Sequence, residues 1–102
     1  MQSAPINVSA SGDQTLIAGV NGSAYAVYGM ILVAAGSVSV TIKNGSTALT
    51  GPIPLAASSQ FSFPLNVDTS YASVTPGNAL VINLSGATQV SGIVYYQTSV
   101  VG

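Results

Sequence analysis

The chain has no cysteine, histidine, tryptophan, arginine or glutamate among its 102 residues, and its ionisable side chains other than tyrosine are Asp13, Lys43 and Asp68. Each absence removes a class of chemistry. Without cysteine there is no disulfide and no thiolate nucleophile. Without histidine there is no general base that titrates near neutral pH, and so no Ser-His-Asp or Cys-His arrangement within one chain. Zinc and iron sites lack their usual nitrogen and sulfur ligands. Two aspartates fall far short of the six to eight oxygens that calcium takes. A single lysine cannot displace the counterions of a nucleic acid, nor hold an anionic membrane surface. The expectation is a protein that is not an enzyme, has no cofactor or metal, and binds neither nucleic acid nor membrane.

What remains is apolar or neutral. Charged residues make up 3% of the chain against about a quarter in ordinary domains. Hydrophobic residues make up 48%, and serine, threonine, glycine and asparagine supply most of the rest. Disorder goes with low hydrophobicity and high net charge, the opposite of this composition. A surface of hydroxyls, amides and apolar groups neither repels its copies nor attracts polyanions, and it suits a fixed place in an assembly. The length fits one domain, residues 1–102, large enough to bury a core without a staple. The opening residues carry neither a basic stretch nor an apolar run, so no secretory signal is expected. The apolar run Ala24–Ala35 is about half of the roughly 20 residues that a membrane-spanning helix needs.

Strand formers dominate and helix formers are scarce, so the expected fold class is all-β with no significant helix. Strands are expected at Ile6–Ala10, Gln14–Val20, Ala24–Ala34, Ser37–Lys43, Thr47–Thr50, Gln60–Leu65, Ala79–Leu84 and Gln89–Ser99. Asn21-Gly22 and Asn44-Gly45 offer the positive φ that tight turns demand, and Gly36, Gly51-Pro52, Pro76-Gly77 and Gly86 punctuate the rest. About eight short strands without helices indicate a two-sheet antiparallel sandwich of the jelly-roll type. Alternation places Val38, Val40 and Ile42 on one face, and likewise Leu80, Ile82 and Leu84, and Phe61, Phe63 and Leu65. Pro64 assigns the last of these strands to an edge or a bulge.

Two strands depart from simple alternation. Ala24–Ala34 is apolar on both faces, with Tyr25, Val27, Ile31 and Val33 opposed by Ala26, Tyr28, Met30 and Leu32. In Gln89–Ser99, Val90, Val94 and Tyr96 are opposed by Ile93 and Tyr95. A strand apolar on both faces needs cover on both. One small sandwich supplies one core, so the second face is expected to meet another subunit. The candidate subunit contacts are Tyr25, Tyr28, Met30 and Leu32, with the Tyr95–Tyr96 pair beside them. Met1–Pro5 is expected to be a flexible N-terminal arm, and Gln2, Ser3, Ala4 and Pro5 are candidates to order on a larger partner.

Three other patterns have plain explanations. Asp68-Thr69-Ser70 approaches an aspartic-protease motif, but serine stands where glycine is usual, and an aspartate in an Asx-type turn explains it. Asn7, Asn21, Asn44 and Asn83 each have serine two residues on, which in a serine-rich β-protein places the pair on one strand face or in one turn. The five tyrosines lack the tryptophan and acidic partners usual in a sugar-stacking cleft, and read as core or contact residues.

The stretch Ile31-Leu-Val-Ala-Ala-Gly-Ser-Val-Ser-Val-Thr-Ile-Lys-Asn-Gly-Ser-Thr-Ala-Leu-Thr-Gly-Pro-Ile-Pro-Leu-Ala-Ala57, together with Thr75-Pro-Gly-Asn-Ala-Leu-Val-Ile-Asn-Leu-Ser-Gly-Ala-Thr-Gln-Val-Ser-Gly92, resembles small capsid cement or head-decoration proteins of tailed bacteriophages. The likeness runs from about Asp13 to Thr98 and lies in the order of strands and turns. It implies a jelly-roll subunit, a homotrimer on the capsid surface of a virion, with the major capsid protein as partner and synthesis in the host cytoplasm. The alternative of the same origin is a receptor-binding or tail-fibre β-module.

Overall fold

The computed structural model describes residues 2–64 and 72–100. Among the described residues there is no helix. The strands are β1 (Gln2–Val8), β2 (Gly12–Ile17), β3 (Ser23–Ala34), β4 (Val38–Asn44), β5 (Thr47–Ala48), β6 (Ile53–Leu55), β7 (Gln60–Phe63), β8 (Ala72–Val74), β9 (Leu80–Leu84) and β10 (Val90–Val100).

They form two antiparallel sheets. The first runs β1-β10-β3-β7, with β8 also on β3, and the second runs β2-β9-β4-β5, with β6 also on β4. Both split edges are single ribbons broken in two. β7 borders Met30–Val33 and β8 borders Tyr25–Val27 of the same strand. β5 borders Lys43–Asn44 and β6 borders Val38–Val40. Counting each broken ribbon once, the sheets read first-eighth-third-sixth and second-seventh-fourth-fifth. That order is the jelly roll, in which successive strands alternate between sheets except where the fourth and fifth pair as a hairpin.

The inward rows follow the alternation. Val38, Val40 and Ile42 of β4 and Leu80, Ile82 and Leu84 of β9 are buried, and face Ile6, Val27, Met30, Leu32, Val90 and Val94 across one hydrophobic cluster. Among the described residues no polar or charged residue is buried. Leu49 and Thr50 leave the ladder because both of their N–H groups donate to the Ile42 carbonyl, at 2.7 and 3.3 Å, which ends β5 at Ala48.

Two features depart from the sequence expectation. Gln2–Pro5 is no flexible arm. It pairs with Tyr96–Ile93 as the first half of β1, and the Thr98 hydroxyl donates to Gln2 Oε1 at 2.6 Å. Pro5 is compatible with this because β1 is the edge of its sheet, where a missing N–H breaks no ladder. The second departure is a bulge. Tyr96 pairs with Val27 and Tyr95 with Gly29, leaving Tyr28 as an extra residue in β3. The bulge reverses the parity of the strand. Before it Tyr25 and Val27 are buried, and after it Met30, Leu32 and Ala34 are.

Glycine decides two turns. Gly45 (φ 60) opens the two-residue loop between Asn44 and Thr47, as in a type II′ hairpin turn. Gly77 (φ 87) follows Pro76 in a turn closed by the Asn78 N–H on the Thr75 carbonyl at 3.1 Å, the Pro-Gly order of a type II turn.

Candidate assembly surface

The outward face of the first sheet gathers apolar side chains on its two central strands. Register places Pro5, Ile93, Ile31 and Ser62 side by side across β1, β10, β3 and β7. One row away lie Asn7, Ser91, Val33 and Gln60, and on the other side Ser3, Tyr95 and Gly29, with the bulged Tyr28 beside them. Ile31 is 36% and Val33 42% exposed, while Tyr28, Ile93 and Tyr95 are half-buried. The edge positions Ser3, Asn7, Gln60 and Ser62 are polar and exposed. No charged residue occupies these rows.

The opposite sheet carries the charge. Asp13, Asn83 and Thr41 are register partners across β2, β9 and β4, and Thr15, Val81 and Lys43 form the neighbouring row. Lys43 Nζ donates to both Asp13 oxygens, at 3.1 and 3.0 Å, and Asn83 Nδ2 donates to Oδ1 at 2.7 Å. The Asn83 hydrogen bond first, and then the Lys43 ammonium, hold the Asp13 carboxyl below its ordinary 3.8. Asp13 and Lys43 are the charged side chains among the described residues, and they neutralise one another. Val81, although 6% exposed, stands on this outer face beside Lys43 and outside the core cluster.

The candidate contact residues separate into two groups. Tyr28 and Tyr95 lie on the outward face of the first sheet. Tyr25, Met30 and Leu32 are 5%, 1% and 0% exposed and belong to the core, so they are not surface contacts. Tyr25 also donates its hydroxyl to the Ala18 carbonyl at 2.7 Å, and its ring meets Tyr96 edge-on at 5.7 Å. Tyr96 packs against the core cluster. Tyr25 precedes the bulge and shares its inward row with Val27; for Met30 and Leu32 the physical reason is the bulge. It turns Met30 and Leu32 inward and gives the outer face to Ile31 and Val33, two residues that unbroken alternation places on the same side as Tyr25. Gly29 is the sequence signal, since a glycine inside a strand pattern often marks a bulge. Of the proposed arm, Gln2, Ser3 and Pro5 are exposed on β1, and Ala4 packs against the core.

The remaining motifs resolve as structure. Asn7 Oδ1 accepts from Gln89 Nε2 at 2.7 Å. Asn44 Oδ1 accepts from the Thr75 N–H and hydroxyl, both at 3.3 Å, and from Asn78 Nδ2 at 3.0 Å, which ties the β4–β5 turn to the Pro76-Gly77 turn. Asp68 and Leu65 lie outside the described residues. Among the described residues there is no group of three metal-ligating side chains and no cavity.

No protein-family model matches the chain, and no curated protein matches it. Among solved structures, a chain from the work described as "Bacillus endospore appendages form a novel family of disulfide-linked pili" superposes with a TM-score of 0.55 at 16% identity, covering 99% of this chain and 87% of that one. This chain has no cysteine with which to form such links. The likeness is one of fold: this protein is an all-β, two-sheet jelly-roll sandwich.

Proposed function

We propose that the protein is a structural virion subunit, a capsid cement or decoration protein that sits as a homotrimer on the outside of a tailed-phage head and contacts the major capsid protein. The observation that carries this reading is the uncharged outward face of the β1-β10-β3-β7 sheet, apolar along its two central strands, on a molecule whose described charges cancel. The sequence resemblance supplies the location. The action is mechanical and needs no catalysis: trimers bridge neighbouring coat subunits, and many weak contacts repeated over the lattice sum to firm attachment. Contacts made of apolar groups and neutral hydrogen bonds have few charges to screen, so attachment persists at high salt.

The test is the copy number of the protein in purified DNA-filled heads and in purified tails, by quantitative mass spectrometry. A number in heads fixed by shell symmetry supports the reading. A few copies confined to tails overturns it in favour of a receptor-binding or tail-fibre module. The fold likeness to an appendage chain suits another repeating structural part, a filament subunit, which purified protein would reveal by polymerising on its own.

A further inference from the structure

Among the described residues, every strand that borders a sheet edge is fitted against sideways extension. β1 contains Pro5, β6 contains Pro54, and Pro64 directly follows β7. β5 and β8 are two and three residues long. β2 carries Asp13 and a bulge between Thr15 and Ile17. Proline, charge, bulging and shortness are the devices that stop another chain from adding a strand. Association is thereby directed away from the edges and onto a face.

From this and from the dimensions of the sheet we infer that three copies of the chain close their β1-β10-β3-β7 faces around a three-fold axis as a three-sided prism, with Ile31, Val33 and Ile93 nearest the axis. The inference rests on the trimeric reading above and specifies its interface. Sheets packed face to face stand about 10 Å apart, so each lies about 5 Å from a shared axis. A triangle with that inner radius has sides of about 17 Å. Four strands spaced about 4.8 Å apart span about 14 Å between outer strand axes and about 19 Å across their full width. Four strands per copy therefore match the side of such a prism.

The chemistry of the face follows the same geometry. β10 and β3 occupy the middle of each side, nearest the axis, and carry the apolar groups. β1 and β7 occupy the corners and present Ser3, Asn7, Gln60 and Ser62, giving an apolar centre within a polar rim. The charged side chains among the described residues, Asp13 and Lys43, sit on the opposite sheet, so closure buries neither of them. Along the eleven residues of β10 the face is about 37 Å long, hence about 700 Å². Divided between two neighbours, that is about 350 Å² per copy in each pairwise contact, and only the total per copy in the closed trimer approaches the ~800 Å² that one partner contributes to a standard stable interface.

The experiment is absolute mass by light scattering on a sizing column, for the intact protein, for Ile31→Lys with Val33→Lys, and for Thr41→Lys on the opposite sheet. Expected are three times 10.1 kDa for the intact protein and for Thr41→Lys, and a threefold fall to one chain mass for the double variant with its β-type circular dichroism retained. A double variant that stays trimeric overturns the inference, as does an intact protein that is a monomer or dimer. If the intact protein is monomeric and binds heads, and the double variant does not bind, the occupant of the face is the coat protein and the inference fails. Should the lysine pair disturb folding, Ile31→Thr with Val33→Thr takes its place: dissociation at lower dilution than the intact protein supports the inference, and an unchanged trimer overturns it. A failure of the virion reading shows instead in the head and tail copy numbers, whatever the mass of the purified protein.

Discussion

Adding one methyl group at Gly92 should destabilise this protein. Gly92 is the third residue of β10, paired with Ile6 on one side and Leu32 on the other. A Cβ there would overlap the Ile31 carbonyl oxygen and stand 2.8 Å from the Ile31 carbonyl carbon and 3.2 Å from Leu32 Cα. All three atoms are backbone of β3, which is held by β7 on its far side, so no flexible side chain can swing aside. Replacing glycine by alanine at a compatible site gains about 0.4–1 kcal/mol from the unfolded chain. Here that gain is opposed by overpacking, typically about 1–3 kcal/mol, and a forced shift between central strands lies at the upper end. The net expectation for Gly92→Ala is a loss of about 2 kcal/mol. For a domain of this size that lowers the melting temperature by about 8–16 °C. Urea unfolding and thermal melts should be run beside Gly86→Ala, where a Cβ meets nothing within 4 Å and the expected change is within about 0.5 kcal/mol. Equal stability of the two variants would refute the steric reasoning.

Three further outcomes are expected. Tyr25→Phe removes the 2.7 Å hydrogen bond to the Ala18 carbonyl and should cost about 1 kcal/mol in urea unfolding, with the edge-on contact to Tyr96 kept. Ser58 is held at φ 63, a conformation costing a non-glycine residue about 1 kcal/mol, so Ser58→Gly should leave stability unchanged or raise it by up to that amount in a thermal melt. The Asp13 carboxyl is depressed in the folded state, so its contribution is fully present above the ordinary value of 3.8 and is lost as pH falls through the lower folded value; acid titration of the unfolding midpoint should show this component in the intact protein and not in Asp13→Asn.

Strands whose two faces differ were legible from sequence. Val38-Ser39-Val40-Thr41-Ile42 and Leu80-Val81-Ile82-Asn83-Leu84 alternate, and the structure puts their apolar rows in the core. The two broken ribbons were only half legible: Ile53–Leu55 and Ala72–Val74 are three residues each, too short for a period of two to show. Gln2–Pro5 is polar and contains proline, so its place in β1 depends on the partner β10 and not on its own pattern. The two-faced character of β3 and β10 was visible, and both strands lie at the centre of the sheet with the apolar outward face. Which residues face outward was not, because periodicity carried through Tyr28-Gly29 without a break assigns Met30 and Leu32 to the wrong side. Ile31 and Val33 emerge as surface residues only once the bulge is known, whereas the side of Ile93 follows from the alternation of β10 alone.

That bulge has an evolutionary consequence. In most strands the hydrophobic pattern itself dictates which side chains go inward, and a slip of one residue exposes the core. Beyond Gly29 both sets of β3 side chains are apolar and similar in volume, so composition does not choose between them; the extra residue does. Deleting Tyr28 would exchange the roles of Met30 and Leu32 with those of Ile31 and Val33, at little cost in hydrophobic burial. A lineage carrying this strand can therefore replace the β3 side chains at the centre of the outer face by one insertion or deletion, changing what the sheet meets while leaving the sandwich intact.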